Sequence, residues 1–589
     1  MKRSILFLIV LTTGVVMAQS TAIPNNDAID SDTQYLQTIM RQTWNYLDSH
    51  IEPNTGFPTD SQTLGGSTNT TNIGLYLASI GPASKLGYIS RTDAIARIQK
   101  IIDSVNKIEG KRGFFQNWVS VEGDTKITEP VLATSDFNKL ITGLILVRQF
   151  FPELNDHATK IIDRVEWKRL YNPQTQNTYW GYNLIEDKPV GEGRFFIASD
   201  CRLVVFYMIA TDSADPIIWE QTHRRKIKTG DLEFFEPGYH LGGMFMQAID
   251  SIFLDEAATE IGSSIADLAW HQITDAQRRN MKVWGWSNCN IPGQGYTEGG
   301  FLPWNVVTPH ASALVIDYYP KHVINNLRQL DQMGLTEPII DNTPYGFRDS
   351  IDLKTGTVDN RYLCLDQSML FLSLTNYTQS GLIRKTFAQD QLVKHGLRKL
   401  KNHFQKNPAL LRKWAQRDAS QPNPKIFSDA PMKPVMFDFT KPDSTSVYAS
   451  AWQQGTINTK TTPEGLLIDF DLSGDEKSEV ECKFDFAPVD SINLKEMSIT
   501  CTTESAGEFG GIRVYLFDDQ GQSQYAFIPE IQQGKHTYTI PNSNFKGILA
   551  NPQSVSGIAI KLWKTPWYYQ NQNTKAASGK LVIHNIQLK

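Results

Sequence analysis

VWGWSNCNIPGQGYTEGGFLPWNVVTPHASALVID, residues 283–317, holds one complete unit of this chain's plan, a long loop that runs into a helix. The loop part carries Trp284, Trp286, Tyr296, Phe301 and Trp304 among five glycines and three prolines. It follows neither the 3.6-residue period of a helix nor the two-residue period of a strand. A solvated loop is ordinarily rich in Ser, Asn, Asp and Lys, whereas this one places rigid aromatic faces around Glu298. Such faces around a carboxylate suit a sugar, whose C–H faces stack on Trp and Tyr while an acid acts on the glycosidic oxygen. The competing reading is a loop folded onto the core, since large aromatics are generally buried.

Working outward, the same unit recurs from about residue 31 to residue 404. Segments at helical spacing are expected at 36–47, 72–86, 90–105, 135–150, 155–170, 198–210, 239–253, 257–281, 308–319, 321–333, 366–375 and 382–404, with a short segment near Ile217. Six long loops are each followed by a helix that is apolar around most of its circumference, and the other helices are one-sided. Six hairpins of one outer and one buried inner helix are what an (α/α)6 toroid requires, with the six loops on one rim. Those loops contain Phe57, Phe114, Phe115, Trp118, Tyr179, Trp180, Tyr182, Phe234, Phe235, Tyr345, Phe347 and Tyr362, and an aromatic funnel of carbohydrate-cleft type is expected there. The six hairpins predict Phe115, Trp286 and Tyr362 on one side of the molecule.

Beyond Phe404 a polar, Pro-bearing connection is expected at 405–434, and from about residue 435 the helical period is lost. LLIDFDLS, EVECKFDFA, MSITCTT, IRVYLFDD, YAFIPEI, HTYTI, SGIAIKLWK and KLVIHNIQL read as short strands of a β-sandwich or jelly roll over 435–589. Its last part, with Trp563, Trp567, Tyr568 and Tyr569 before a final strand, is similar to galactose-binding-like carbohydrate modules.

Net charge is -5 over 589 residues, which leaves no electrostatic footprint for nucleic acid. Residues 1–18 read as a secretory signal peptide, and no later apolar run is long enough to span a bilayer. A secreted or periplasmic monomer is therefore expected. The cysteines are Cys201, Cys289, Cys364, Cys482 and Cys501, without metal or redox spacing; a Cys482–Cys501 disulfide and an approach of Cys289 to Cys364 stay open beside isolated buried thiols. No His-x-x-x-His run or clustered His/Cys/Asp spacing suggests a catalytic metal, and no cofactor is expected, while a structural calcium stays open.

TNIGLYLASIGPASKLGYI (71–89), FFQNWVS (114–120), TSDFNKLITGLI (134–145), EPGYHLGGMF (236–245), VWGWSNC (283–289), TPHASAL (308–314) and RYLCLDQSMLFL (361–372) resemble, in order, the motifs of the glycoamylase-like domain. That domain occurs in the endo-β-1,2-glucanases of glycoside hydrolase family 144 and in cyclic β-1,2-glucan synthases. The resemblance spans roughly residues 35–404 and implies an (α/α)6 barrel acting on β-1,2-glucan or another β-glucan. Relatives often carry an acid shortly after the Trp-Gly-x-Ser of the central motif, where this chain has Asn288.

Glycoside hydrolysis uses one protonated carboxyl and one ionised carboxylate on opposite sides of the scissile bond. The rim offers Glu298 or Glu236 as the acid and Asp366 or Asp136 as the base, with Asp200 and Glu192 as further carboxylates; Asp136 and Asp366 also stand where helix caps do. Sugar hydroxyls and faces would be held by Gln116, Asn117, Trp118, Asp200, Arg194, Arg202, His240, Trp284, Trp286, Tyr296, His310, Tyr362 and Gln367. Two rival readings are a polysaccharide lyase on the same toroid, which would need cationic loops, and a non-catalytic glycan-binding protein.

Overall fold

The computed structural model describes residues 26–589 apart from 64–65, 124–125, 230, 239–242, 279, 294, 298–305, 423–432, 441–445, 453–454, 473–478, 492, 505–510, 520–521, 529–530, 548, 550–553 and 564–577. The signal peptide, His240, Glu298, Phe301, Trp304, Trp567, Tyr568 and Tyr569 lie outside the described residues.

Helices follow one another as α1 (Asn26–Ser49), α2 (Thr70–Lys85), α3 (Arg91–Val105), α4 (Thr134–Phe150), α5 (Asn155–Asp163), α6 (Arg202–Ala210), α7 (Ile217–Glu220), α8 (Gly243–Ala248), α9 (Glu260–Arg278), α10 (Pro309–Ala313), α11 (Pro320–Gln332), α12 (Cys364–Thr378), α13 (Leu382–Phe387), α14 (Gln391–Lys399) and α15 (Pro408–Ala419). Every residue of α6, α8 and α10 is buried, as are nearly all of α2, α4 and α12. By contrast α3, α5 and α11 bury a single face each. This is the inner and outer alternation of an (α/α)6 toroid. Around the ring α2 packs on α4, α4 on α6, α8 on α10, α10 on α12 and α12 on α2. A Cβ on Gly74 would fall 2.1 Å from the Lys139 carbonyl oxygen, and one on Gly143 would fall 2.2 Å from that of Gly74. Backbone-to-backbone approach of α2 and α4 thus needs glycine on both sides.

Between α6 and α8 the connection is polar. Fully buried Arg202 donates to both oxygens of Glu256 (3.0 Å each) and to the carbonyls of Ile197, Ser199 and Gln247. Asp250 accepts from the Leu203 amide (3.0 Å) and pairs with buried Lys139 of α4 at 2.9 Å.

Several expected helices are shorter than their apolar patterns. The segment 155–170 breaks after Asp163 and resumes as a 3-10 turn, and 382–404 divides at Asp390, which caps α14 and binds Arg148 at 2.6 Å through each oxygen. The helix at 72–86 runs on through Pro82. Ser90 caps α3, accepting the Asp93 amide and donating to its carboxylate.

The connection expected at 405–434 contains α15, which docks on the toroid. Trp414 is buried edge-on against Tyr318, with centroids 4.8 Å apart. Arg417 binds Asp267 of α9 at 2.5 Å, and Asp418 accepts from the amides of Lys321 and His322, capping α11 from outside.

From Val435 the chain is a two-sheet sandwich. One sheet runs Thr456–Thr462, Gly465–Asp471, Ser578–Leu588, Glu496–Thr503, Gly534–Pro541, with Val435–Asp438 also paired to Ser578–Leu588. The other runs Ser446–Trp452, Glu479–Val489, Val555–Trp563, Ile512–Asp518, Ser523–Ile528, Lys546–Gly547. Alternating residues such as Ile512, Val514 and Leu516 fill the space between them. Cys482 and Cys501 belong to different sheets and are free buried thiols, as are Cys201, Cys289 and Cys364. No described helix is long and apolar enough to cross a membrane.

Trp414→Ala should remove the anchor of α15 and destabilise the helical unit by about 3–5 kcal/mol, measured by urea unfolding followed by circular dichroism. A chain ending at residue 434 should keep the full stability of the helical unit, whereas one ending at residue 407 should show the same loss as Trp414→Ala.

Candidate active site

Several candidate residues stand at or just before the N-termini of buried helices that follow long loops. Asp136 stands in the first turn of α4, half-buried. It accepts from Thr71 Oγ1 (2.8 Å) at the start of α2 and from Asn117 Nδ2 (3.0 Å). Asn117 also accepts the Thr70 amide through its backbone, and Trp118 beside it is 39% exposed. The strand Trp118–Ser120 pairs with Ser67–Asn69, which leads into α2, so one small ribbon sets both donors against Asp136. Asn72, also on α2, donates to Asp60 at 2.8 Å; burial pushes the Asp60 carboxyl up despite that bond.

Asp200, just before α6, is partly exposed, and burial pushes its carboxyl up while Lys139 opposes the shift. Its backbone carbonyl accepts from Lys139 Nζ at 2.8 Å. Glu236 is half-buried with Arg225 3.6 Å away, and Arg194 is exposed. Glu192 is exposed and is bonded by Asn172, Thr175, Asn177 and Tyr179, which hold its hairpin together.

Asp366, in the first turn of α12, is buried with both oxygens shielded from solvent. Burial, then Asp349, then Asp60 raise its carboxyl well above the ordinary range. Asp349 is raised too, chiefly by burial, and one of its oxygens accepts the Asn290 amide. His310 Nδ1 lies 2.8 Å from Thr308 Oγ1 and 3.4 Å from Asp366 Oδ1, the latter outside hydrogen-bonding alignment. Burial lowers His310 to about 3, so its ring is neutral. His310, Asp349 and Asp366 are the residues of this rim that could hold a metal ion. An ionised base at Asp366 is therefore not what this arrangement presents.

The expected aromatic funnel is largely corrected. Trp284 and Trp286 are 6% and 1% exposed. Their backbones are clamped by Asn326 and Gln272, each of which donates to and accepts from its partner. Tyr362 is buried against Tyr46 and Tyr345. Phe57, Phe114, Phe115, Tyr182, Phe234, Phe235 and Phe347 are core residues as well. Burying these rings gains more than exposing them, and the loops are long enough to form a core with the helix ends. The exposed aromatics among the described rim residues are Trp118, Trp180 (47%) and Tyr296 (46%).

Two amides are likewise structural. Gln116 accepts the Thr128 and Glu129 amides and donates to Lys126 O. Gln367 donates to the Phe347 carbonyl at 2.5 Å. Arg202 is sealed in the ring junction and reaches no sugar. Asp60, Asn72, Thr71, Asp349 and Asn290 were not foreseen. Asp349 lies in YGFRDS beside Tyr345 and Phe347, where the aromatics drew the reading away from the acid.

Arg202→Met should leave Glu256 buried without its counter-ion and cost about 3–5 kcal/mol of stability, read in the same urea titration. A fully stable variant with altered glycan affinity would return Arg202 to the ligand-facing set.

Known proteins show the same architecture. Residues 267–391 match the family model described as "Putative glucoamylase", and residues 38–179 match one described as "Protein of unknown function (DUF3131)". A putative glucoamylase from Bacteroides caccae superposes with TM-score 0.54 at 21% identity, over 63% of this chain and 98% of that chain. The endo-β-1,2-glucanase from Chitinophaga pinensis, in complex with sophorotriose and glucose, gives TM-score 0.53 at 18% identity over the same shares. That from Talaromyces funiculosus, with sophorose, gives 0.52 at 11% over 67% and 92%. In sequence, the cyclic β-(1,2)-glucan synthase NdvB of Rhizobium meliloti is 27% identical over 119 residues, which are 19% of this chain; the match spans 4% of the synthase's length. The helical unit has the fold that these putative glucoamylases and endo-β-1,2-glucanases share.

Proposed function

We propose that the protein is an exported glycoside hydrolase that cleaves a β-glucan, acting within chains of β-1,2-glucan. The observation that carries this reading is Asp136, a rim carboxylate held by Thr71 and Asn117 beside exposed Trp118. Two neutral donors and the α4 N-terminus fix its direction, as a base that must aim at a water molecule requires. Trp118 offers the nearby ring face on which a glucosyl unit can stack. The solved β-1,2-glucanases of this fold support the linkage, and the leader-like residues 1–18 support export.

Asp136 takes the base role in preference to Asp366, which is buried and carries a raised carboxyl. For the proton donor, Glu298 remains the candidate from the aromatic loop. Asp200 joins it, because burial favours its protonated form. Glu236, paired with Arg225, belongs to the binding wall.

Purified protein incubated with linear β-1,2-glucan should release short oligosaccharides, resolved by size. Asp136→Asn should lower turnover at least about 100-fold with unchanged folding. Trp118→Ala should raise KM about tenfold and leave kcat within a few-fold, the signature of a stacking contact made equally in ground and transition states. Tight binding of the glucan with no product from any linear or cyclic glucan would replace this reading with the glycan-binding one.

A further inference from the structure

We infer that His310, Asp349 and Asp366 form a site for one divalent transition-metal cation, with Zn²⁺ the ion that the donor set fits best. The three side chains come from the start of α10, from the loop before Ile351–Asp352 and from the first turn of α12. One nitrogen of His310 and one oxygen of each carboxylate lie within 4.8 Å of one another, and all three residues are buried. Some point lies within about 2.8 Å of all three atoms so spaced. Small side-chain rotations therefore reach the bond lengths of about 2.0–2.2 Å that zinc makes with imidazole and carboxylate.

A second observation, independent of this spacing, points to an occupant. Nε2 of His310 and Oδ1 of neighbouring Asn290 are shielded from solvent without a hydrogen-bond partner, and the shielded oxygens of Asp366 and Oδ1 of Asp349 meet no donor except, when one carboxyl is protonated, each other. Buried polar atoms are almost always partnered, so several in one locus call for a shared partner. Electrostatics calls for a cation. The groups acting on Asp366 are Asp349 and Asp60, both acidic, and the cation acting on Asp349 is Arg361, which lies exposed. A dication would neutralise two buried carboxylates that otherwise repel each other.

The surroundings already orient these groups as outer partners of a metal site do. Thr308 Oγ1 engages Nδ1 of the neutral His310 ring, and the Asn290 amide engages Oδ2 of Asp349. Asn290 Nδ2 reaches Asp359 at 2.9 Å, tying the next loop strand to the cluster. An imidazole beside two carboxylates favours zinc over calcium or magnesium, which prefer sets composed wholly of oxygen. Such an ion would staple the starts of α10 and α12 to the loop between them. The inference stands whether or not the rim hydrolyses glucan.

The test uses tag-free, full-length protein stripped with a chelator and titrated with ZnCl2, with CaCl2 and MgCl2 in parallel. Calorimetry, metal analysis after desalting and thermal melts give the readouts. The expected result is one equivalent of zinc retained, a zinc-dependent rise in Tm of several degrees, and proton release as the carboxyls deprotonate. His310→Gln and Asp349→Asn should each weaken zinc binding at least tenfold. If either variant fails to fold, the stoichiometry and proton release of the unsubstituted protein decide. Less than 0.1 equivalent retained with no shift in Tm would overturn the site and leave a carboxyl pair that shares a proton. Undiminished zinc binding in folded variants would overturn it as well, by placing the ion elsewhere.

Discussion

A guanidinium with no access to water closes the helical ring. Arg202 carries its charge into the junction of α6 with the turns after α8, where Glu256 neutralises it and three carbonyls take its remaining donors. Buried ion pairs seldom add net stability over a well-packed apolar substitute, because desolvation offsets the attraction. What this pair adds is direction. An apolar contact between helices as short as α6 and α8 would tolerate sliding, whereas a bidentate pair with three further hydrogen bonds permits one arrangement. Asp250 extends the constraint to α4 through Lys139 and to the first turn of α6 through the Leu203 amide. Three successive inner helices are thereby fixed to one another.

Fixing the helices matters because candidate residues stand in their first turns. The first turns of helices leave donors unsatisfied and carry partial positive charge, so acceptors collect there. Asp136 and Asp366 occupy equivalent first-turn positions on α4 and α12, yet their surroundings separate them. Asp136 is half-buried and faces two neutral donors, whereas Asp366 faces a second carboxyl away from water. Position on the helix makes both plausible caps or catalysts. Only the neighbours brought in by other loops decide what each can do.

This is also where sequence reading reached its limit. Helix period, capping residues and the switch to alternating strands were legible because they are local, so the six hairpins and a sandwich starting near residue 435 could be read directly. Aromatic loops were ambiguous, since a ring gains free energy by burial wherever enough chain surrounds it. Trp284 and Trp286 went to the core for that reason, and Trp118, in a thin two-stranded ribbon, stayed at the surface. The grouping of His310, Asp349 and Asp366 was illegible, because residues 39 and 17 positions apart make no spacing motif, and their meeting depends on how α10, α12 and the loop between them pack. The helix α15 was hidden by composition: its polar face reads as a connection, and Trp414, Arg417 and Asp418 acquire meaning only from the surfaces they reach.

Among the described residues, the sandwich reaches the rim through Arg225. Arg225 lies 3.6 Å from Glu236 in the EPGYH loop and donates at 3.1 Å to Gln522, in the turn between strands Ile512–Asp518 and Ser523–Ile528. Gln522 is held in place from its own side, since its amide donates to Asp518. A displacement of the sandwich would therefore pull first on Arg225 and only then on Glu236, through an ion pair that is half open to water and readily remade. The rim carboxylates on α4 and α12 are engaged by Thr71 and Asn117 and by Asp349, all of the helical unit. Their geometry depends on the helical ring, while the setting of Glu236 depends on both units.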